Sequence, residues 1–197
     1  PKHAQFSHEE LVAIVEEAAR AERVVAAHCH GKAGVMAAVR AGIRTIEHGT
    51  YVDAEAAQAM ADTGTILVPT RFVGDVVLRP DSTVPMPDFA RAKLEVTYRA
   101  GREAVGHAIA AGVTIAAGTD IINSGDQWGH NGGELALLVE CGLSPRQAIE
   151  AATANGPLTV GPQAPRTGQL AAGFVADVIA VAANPLEDIA VLGDARQ

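Results

Sequence analysis

Arg23-Val24-Val25-Ala26-Ala27-His28-Cys29-His30-Gly31 is the stretch on which the fold turns. Its first half is a short, continuous apolar run, the pattern of a strand buried on both faces of a parallel sheet, and it stops abruptly at imidazoles and a glycine. Just upstream, Ser7-His8-Glu9-Glu10 reads as a helix N-cap with its capping-box glutamate. Apolar positions 11, 14, 15 and 18 then share one helical face, predicting a helix that ends near Ala21. Downstream, residues 32–41 are predicted helical and Gly42 suits the helix exit; Ile43-Arg44-Thr45-Ile46 is the next strand, closing in Glu47-His48-Gly49.

The unit repeats along the chain. Asp53 caps a third helix running through Asp62, Gly64 ends it, and Thr65-Ile66-Leu67-Val68 is a third strand ending at Pro69-Thr70. A long stretch containing Pro80, Pro85 and Pro87 leads to a helix from Asp88 to Ala111; after Gly112, Val113–Ala117 is a fourth strand ending in Gly118-Thr119-Asp120. Ala41-Gly42-Ile43 and Ala111-Gly112-Val113 join helix exits to strands in the same way, a weak self-similarity of α/β architecture. A glycine-rich loop, Asn123–Gly133, precedes a helix from Glu134, and Ser144-Pro145 opens another that runs to about Ala154. We divide the chain into residues 1–156, the α/β part, and residues 157–197, a turn-rich connector with strands expected at Gln169-Leu170 and Ala176–Val181.

Composition narrows the classes of function. Fifteen Lys+Arg against 23 Asp+Glu leave a net charge of -8, which argues against a nucleic-acid surface or a polybasic membrane patch. Hydrophobic residues at 48% and charged ones at 19% fit a packed globular chain, not a disordered tail or a rod. No apolar run reaches the length of a membrane span, and no signal peptide is visible. Cys29 and Cys141 are far apart and without a C-x-x-C partner, which suits a reducing, cytoplasmic setting.

Side chains able to bind metals or move protons stand at the ends of the expected strands: His28 and His30, His48, and Asp120. The carboxyl ends of parallel strands are where α/β sheets and barrels assemble their sites. His28 and His30, two apart on an extended chain, face one side, whereas Cys29 points to the other as a small buried hydrophobe. Neutral imidazole suits zinc-like ions, and a carboxylate adds a ligand or a base, so the constellation fits metal-assisted hydrolysis. Each residue alone also has a structural reading. A strand-end histidine is often only hydrogen-bonded, Glu47 could cap a backbone, and Asp120 could make an Asx turn. His130 either reaches the site or is simply exposed, and His3, His8 and His107 read as surface residues.

At His28-Cys29-His30-Gly31, Ile46-Glu47-His48-Gly49, Ala117-Gly118-Thr119-Asp120, His130-Asn131-Gly132-Gly133-Glu134-Leu135, Ala152-Thr153-Ala154-Asn155 and Gly173-Phe174-Val175-Ala176-Asp177-Val178-Ile179, the chain resembles the metal-dependent amidohydrolase superfamily. Within it, the likeness is to the imidazolonepropionase-like and Xaa-Pro dipeptidase-like subgroup. The resemblance implies a parallel (β/α) barrel of the TIM type, present as about its last four β/α units, with short C-terminal strands of an appended small sheet. It implies that His28 and His48 are metal ligands and that Asp120 is both ligand and general base. It places His30 and His130 where substrate-facing residues are expected. The family's H-x-H pair on its first strand and its ligand lysine on the fourth have no counterpart here, so the resemblance is to a C-terminal half.

The expectation is therefore a metal-dependent hydrolase of C–N bonds in amides, peptides or lactams, with a divalent metal, zinc by preference of the donor set, and a small-molecule or dipeptide-like substrate. Residues 71–86 and 121–130 are expected to line the mouth, where Arg71 or Arg79 could bind a substrate carboxylate or stay solvated. The expected partner is the missing N-terminal half or a second copy, because an isolated half leaves unpaired sheet edges. The alternative is a non-catalytic half-barrel that serves assembly or partner binding.

Overall fold

Ser7 and Glu10 close a reciprocal capping box: the Ser7 hydroxyl accepts the Glu10 N–H at 3.2 Å and the Glu10 carboxylate accepts the Ser7 N–H at 2.7 Å. Helix α1 (His8–Arg20) starts there. In the computed structural model, which describes residues 4–121 and 127–193, the chain then alternates strand and helix. Strand β1 (Ala26–Cys29) is followed by α2 (Lys32–Arg40), β2 (Thr45–His48), α3 (Ala54–Thr63), β3 (Ile66–Val68), α4 (Arg71–Leu78) and α5 (Asp88–Ala111). Helices α6 (Gly133–Glu140), α7 (Pro145–Ala152) and α8 (Gly156–Val160) complete the described α-helices.

The strands form one parallel sheet in the order β1-β2-β3, with Cys29 opposite His48 and Thr45 opposite Ile66. Every strand ends at the same edge, as helical crossovers between parallel strands require. Ile46 and Leu67 from the sheet and Val35, Met60, Val105 and Leu138 from the helices are fully buried in one core. Each such side chain contributes about 1.5–3 kcal/mol. The helices lie against the sheet, and α3 packs on α5. Among the described residues, no helix is long and apolar enough to cross a membrane.

The structure departs from the sequence reading in places. The fourth strand, expected at Val113–Ala117, is reduced to a single parallel bridge between Leu67 and Ile115. Beyond that bridge the backbone partners come from elsewhere: the Asn155 side chain donates to the Ile115 carbonyl at 2.9 Å and Ala117 N–H donates to the Ala151 carbonyl at 2.9 Å. Residues 71–78, for which the sequence reading named no element, form α4. Gln169-Leu170 and Ala176–Val181 make no strand; Leu170 is 91% exposed and Ile179 79%, with no neighbouring strand among the described residues to pair with. Residues 122–126 of the expected mouth loop lie outside the described residues.

Candidate metal centre

The ends of β1 and β2 bring His28, His30 and His48 together, with one ring nitrogen from each within 4.8 Å of the others. His28 and His30 meet because alternate residues of a strand share a face; their ring centroids are 4.8 Å apart. His48 needs a further device. It pairs in register with Cys29, whose side chain turns toward α2, so a regular pleat would carry His48 away from His28. Instead its backbone is left-handed, with φ of +72°, and the imidazole swings across until Nε2 is 2.7 Å from His28 Nδ1. Such a conformation costs a non-glycine residue about 1–2 kcal/mol.

Thr70 and Asp120 share that left-handed backbone, with φ of +49° and +53°. Both follow strand-like segments and both border the same cleft of about 220 Å³ as the imidazoles, together with Thr50, Arg71 and Tyr98. The far nitrogens of the rings are fixed by buried hydroxyls: His48 Nδ1 lies 2.6 Å from Thr70 Oγ1, and His30 Nδ1 lies 2.7 Å from Thr50 Oγ1. Hydroxyl contacts of this kind orient a ring and decide which nitrogen is left for a ligand.

Burial and the neighbouring imidazoles favour the neutral forms of His30 and His48. Burial, then the neighbouring His48 and His28, push His30 down to about 4. His48 is lowered by burial and by His28, with the Asp120 carboxylate pulling the other way. Burial raises Glu47, whose carboxylate accepts the Thr45 hydroxyl at 2.6 Å. Lone pairs on neutral rings are what a divalent cation binds.

Helix α4 shows how the ring of His48 is held. Thr70 is its N-cap residue, yet Thr70 makes no side-chain cap, because its hydroxyl is engaged with His48. The cap comes from α6 instead: Glu134, fully buried, accepts the N–H of Arg71 at 3.0 Å and of Phe72 at 2.7 Å. Its burial raises the carboxyl to about 7, against the opposing pull of those two N–H groups.

Of the residues singled out in the sequence, His28, His30, His48 and Asp120 border one cleft. His130 does not: its Nδ1 donates to the Gly193 carbonyl at 3.0 Å and it borders a separate cleft with Asp75 and Arg79. Arg79 is paired with Asp75 at 2.6 Å, whereas Arg71 is buried. His8 and His107 are exposed. Thr50, Thr70 and the capping role of Glu134 escaped the sequence reading. The signals available were the placement of Thr70 at a strand end and of Glu134 within the His130–Leu135 motif.

The sequence profile of the amidohydrolase family matches residues 1–197, and the chain belongs to that family. It is 48% identical to ochratoxinase of Aspergillus niger over 197 residues, which is 100% of this chain and 40% of that protein. The crystal structure of A. niger ochratoxinase superposes with a TM-score of 0.87, covering 44% of that chain. A Xaa-Pro dipeptidase solved with methionine bound in the active site is 35% identical, with a TM-score of 0.82 and coverage of 96% of this chain and 46% of the dipeptidase. A prolidase solved in complex with N-methylphosphonate-L-proline is 34% identical, with a TM-score of 0.85 over 97% of this chain and 46% of the prolidase. The chain thus spans less than half the length of these relatives.

Proposed function

We propose that the chain carries part of the active site of a metal-dependent hydrolase that cleaves C–N bonds in small amide or dipeptide-like substrates. The observation that carries this reading is the approach of His48 Nε2 to His28 Nδ1 at 2.7 Å. Two nitrogens each about 2.1 Å from a shared tetrahedral zinc ion would stand about 3.4 Å apart, so a small outward movement of either ring admits the ion.

The donor chemistry fits such an ion: neutral imidazoles, hydroxyl-oriented rings and a carboxylate on the same cleft. His28, His48 and Asp120 would hold a divalent metal, zinc in our reading, which would supply Lewis-acid polarisation of the scissile carbonyl and acidify the attacking water. Asp120 would take the proton of the attacking water and return it to the leaving nitrogen. His30, on the same side of β1 as His28, faces the substrate. Thr70 and Thr50 keep the rings of His48 and His30 from rotating.

The sheet is read here as the final strands of a (β/α) barrel of the TIM type, with the segment after residue 156 adding to a small appended sheet. The share of its relatives that the chain spans supports a complementary part, from residues beyond this sequence or from a second copy, that adds the remaining ligands. The exposed Leu170 and Ile179 favour such docking, and a purely partner-binding role is the second reading. Free thiols at Cys29 and Cys141 support a reducing, cytoplasmic setting.

The test is turnover of a panel of dipeptides and N-acyl amino acids by the purified chain, before and after chelation and zinc reloading. Hydrolysis that chelation abolishes and zinc restores, and that an Asp120→Asn variant lacks, supports the proposal. No turnover at any zinc concentration, even when the chain is supplied with the complementary part, assigns the chain to the partner-binding reading.

A further inference from the structure

Arg71, the first residue of α4, is 6% exposed, and its guanidinium has no ion-pair partner among the described residues. Its Nε is buried with no hydrogen-bond partner. The guanidinium lies 3.8 Å from the centroid of the Tyr98 ring on α5. The Tyr98 hydroxyl donates to Asp75 at 3.3 Å, and Asp75 is committed to Arg79, so that carboxylate does not serve Arg71. Glu134 feels the Arg71 charge, but both its oxygens receive backbone N–H groups and it makes no salt bridge to the guanidinium.

Space is kept for this pair on both facing helices. A Cβ on Gly101 of α5 would stand 2.6 Å from Arg71 Nη1, and one on Gly74 of α4 would stand 2.8 Å from the Tyr98 ring. Glycine within a helix weakens it relative to alanine, so two of them here are a sign of a seat built for the stacked guanidinium. A buried cation is destabilising unless an anion answers it, and one kept without a salt bridge among the described residues is suited to an anion that arrives with a ligand. Arg71 and Tyr98 border the cleft that holds His28, His30, His48 and Asp120.

We propose that Arg71 is the specificity residue of this cleft and binds a free carboxylate of the substrate next to the amide to be cleaved. The fork of guanidinium N–H groups matches a carboxylate, and the Tyr98 face holds the fork in place. That the anion belongs to a substrate rests on the hydrolase reading above; that the cleft binds a carboxylate does not.

The test is titration calorimetry of the full chain, as purified and after chelation, with N-acetyl-L-alanine and with the neutral N-acetyl-L-alaninamide. The wild type is expected to bind the acid at least about tenfold more tightly than the amide, as loss of a charge-assisted contact implies. Arg71→Met should bring the ratio to about one, chiefly by weakening binding of the acid, and Arg71→Lys should keep part of the preference. Should Arg71→Met fail to fold, Gly101→Ala retains the charge but displaces Nη1, and is expected to lower the preference. A wild type that binds the acid no better than the amide, or neither of them, overturns the proposal. So does a preference unchanged in folded Arg71→Met or in Gly101→Ala. Metal content and turnover of the same samples separate the two ideas. Zinc-dependent turnover without acid preference sinks Arg71's role alone, and acid preference in a chain that shows no metal-dependent turnover even when supplied with the complementary part sinks the hydrolase reading alone.

Discussion

Thr70 Oγ1 lies 2.6 Å from His48 Nδ1, and the helix that Thr70 would ordinarily cap is capped by Glu134 instead. The hydroxyl is thereby free to orient an imidazole whose other nitrogen faces His28. Replacing Thr70 by valine keeps the shape and removes the hydrogen bond. Zinc affinity is expected to fall about tenfold to hundredfold with a stability loss of about 1 kcal/mol, and Thr70→Ser should restore the affinity. Competition titration against a chelator measures the first and denaturant unfolding the second.

Zinc retention should extend to acid. Protons compete with zinc for an imidazole according to its basicity, and burial and the neighbouring His28 hold His48 below its usual value. The midpoint of zinc release on lowering pH is therefore expected below the ordinary histidine value of about 6.5. A midpoint at or above the ordinary histidine value contradicts the electrostatics described for the cleft.

Glu134 gives stability a pH dependence of the opposite sense to a paired carboxylate. Its folded-state value is raised to about 7, above that of an unfolded glutamate, so the fold prefers its protonated form. The contribution is full below the unfolded value, near ~4.3, and is lost as pH rises through about 7. The linkage amounts to about 4 kcal/mol. Glu134→Gln removes it, so the difference in unfolding free energy between wild type and variant should shrink from about pH 4 to about pH 8. Parallel pH profiles for the two proteins contradict this.

Gly49 directly follows His48 and has φ of +56°. A Cβ there would stand 2.5 Å from Leu67 Cδ1 and 3.2 Å from Val52 Cγ2. Backbone strain and overpacking together should make Gly49→Ala destabilising by about 3 kcal/mol, measured by denaturant unfolding. A change below about 0.5 kcal/mol would show that this turn relaxes freely.

Much of the sheet edge was legible because strand ends are local signals. The apolar run before His28-Cys29-His30-Gly31 and the helix exits at Gly42, Gly64 and Gly112 place the histidines and Asp120 without knowledge of distant contacts. What escaped depends on partners. Helix α4 carries no N-cap hydrogen bond of its own, since its cap is Glu134, 62 and 63 residues along the chain from the N–H groups it serves, so a local reading finds no helix start. A strand is a property of a pair: Val113–Ala117 and Ala176–Val181 have the composition of strands, but their backbone groups find either one bridge or none. The turn of His48 toward His28 was hidden because alternation along β2 would send the side chain the other way.

The central claim is that His28 and His48 form part of a metal site in this chain. Elemental mass spectrometry of the purified chain beside a His48→Ala variant tests it most directly. About one divalent metal per wild-type chain, lost in the variant, is the expected result for a site built by these imidazoles. A metal-free wild type after zinc loading, or equal metal in both proteins, contradicts it.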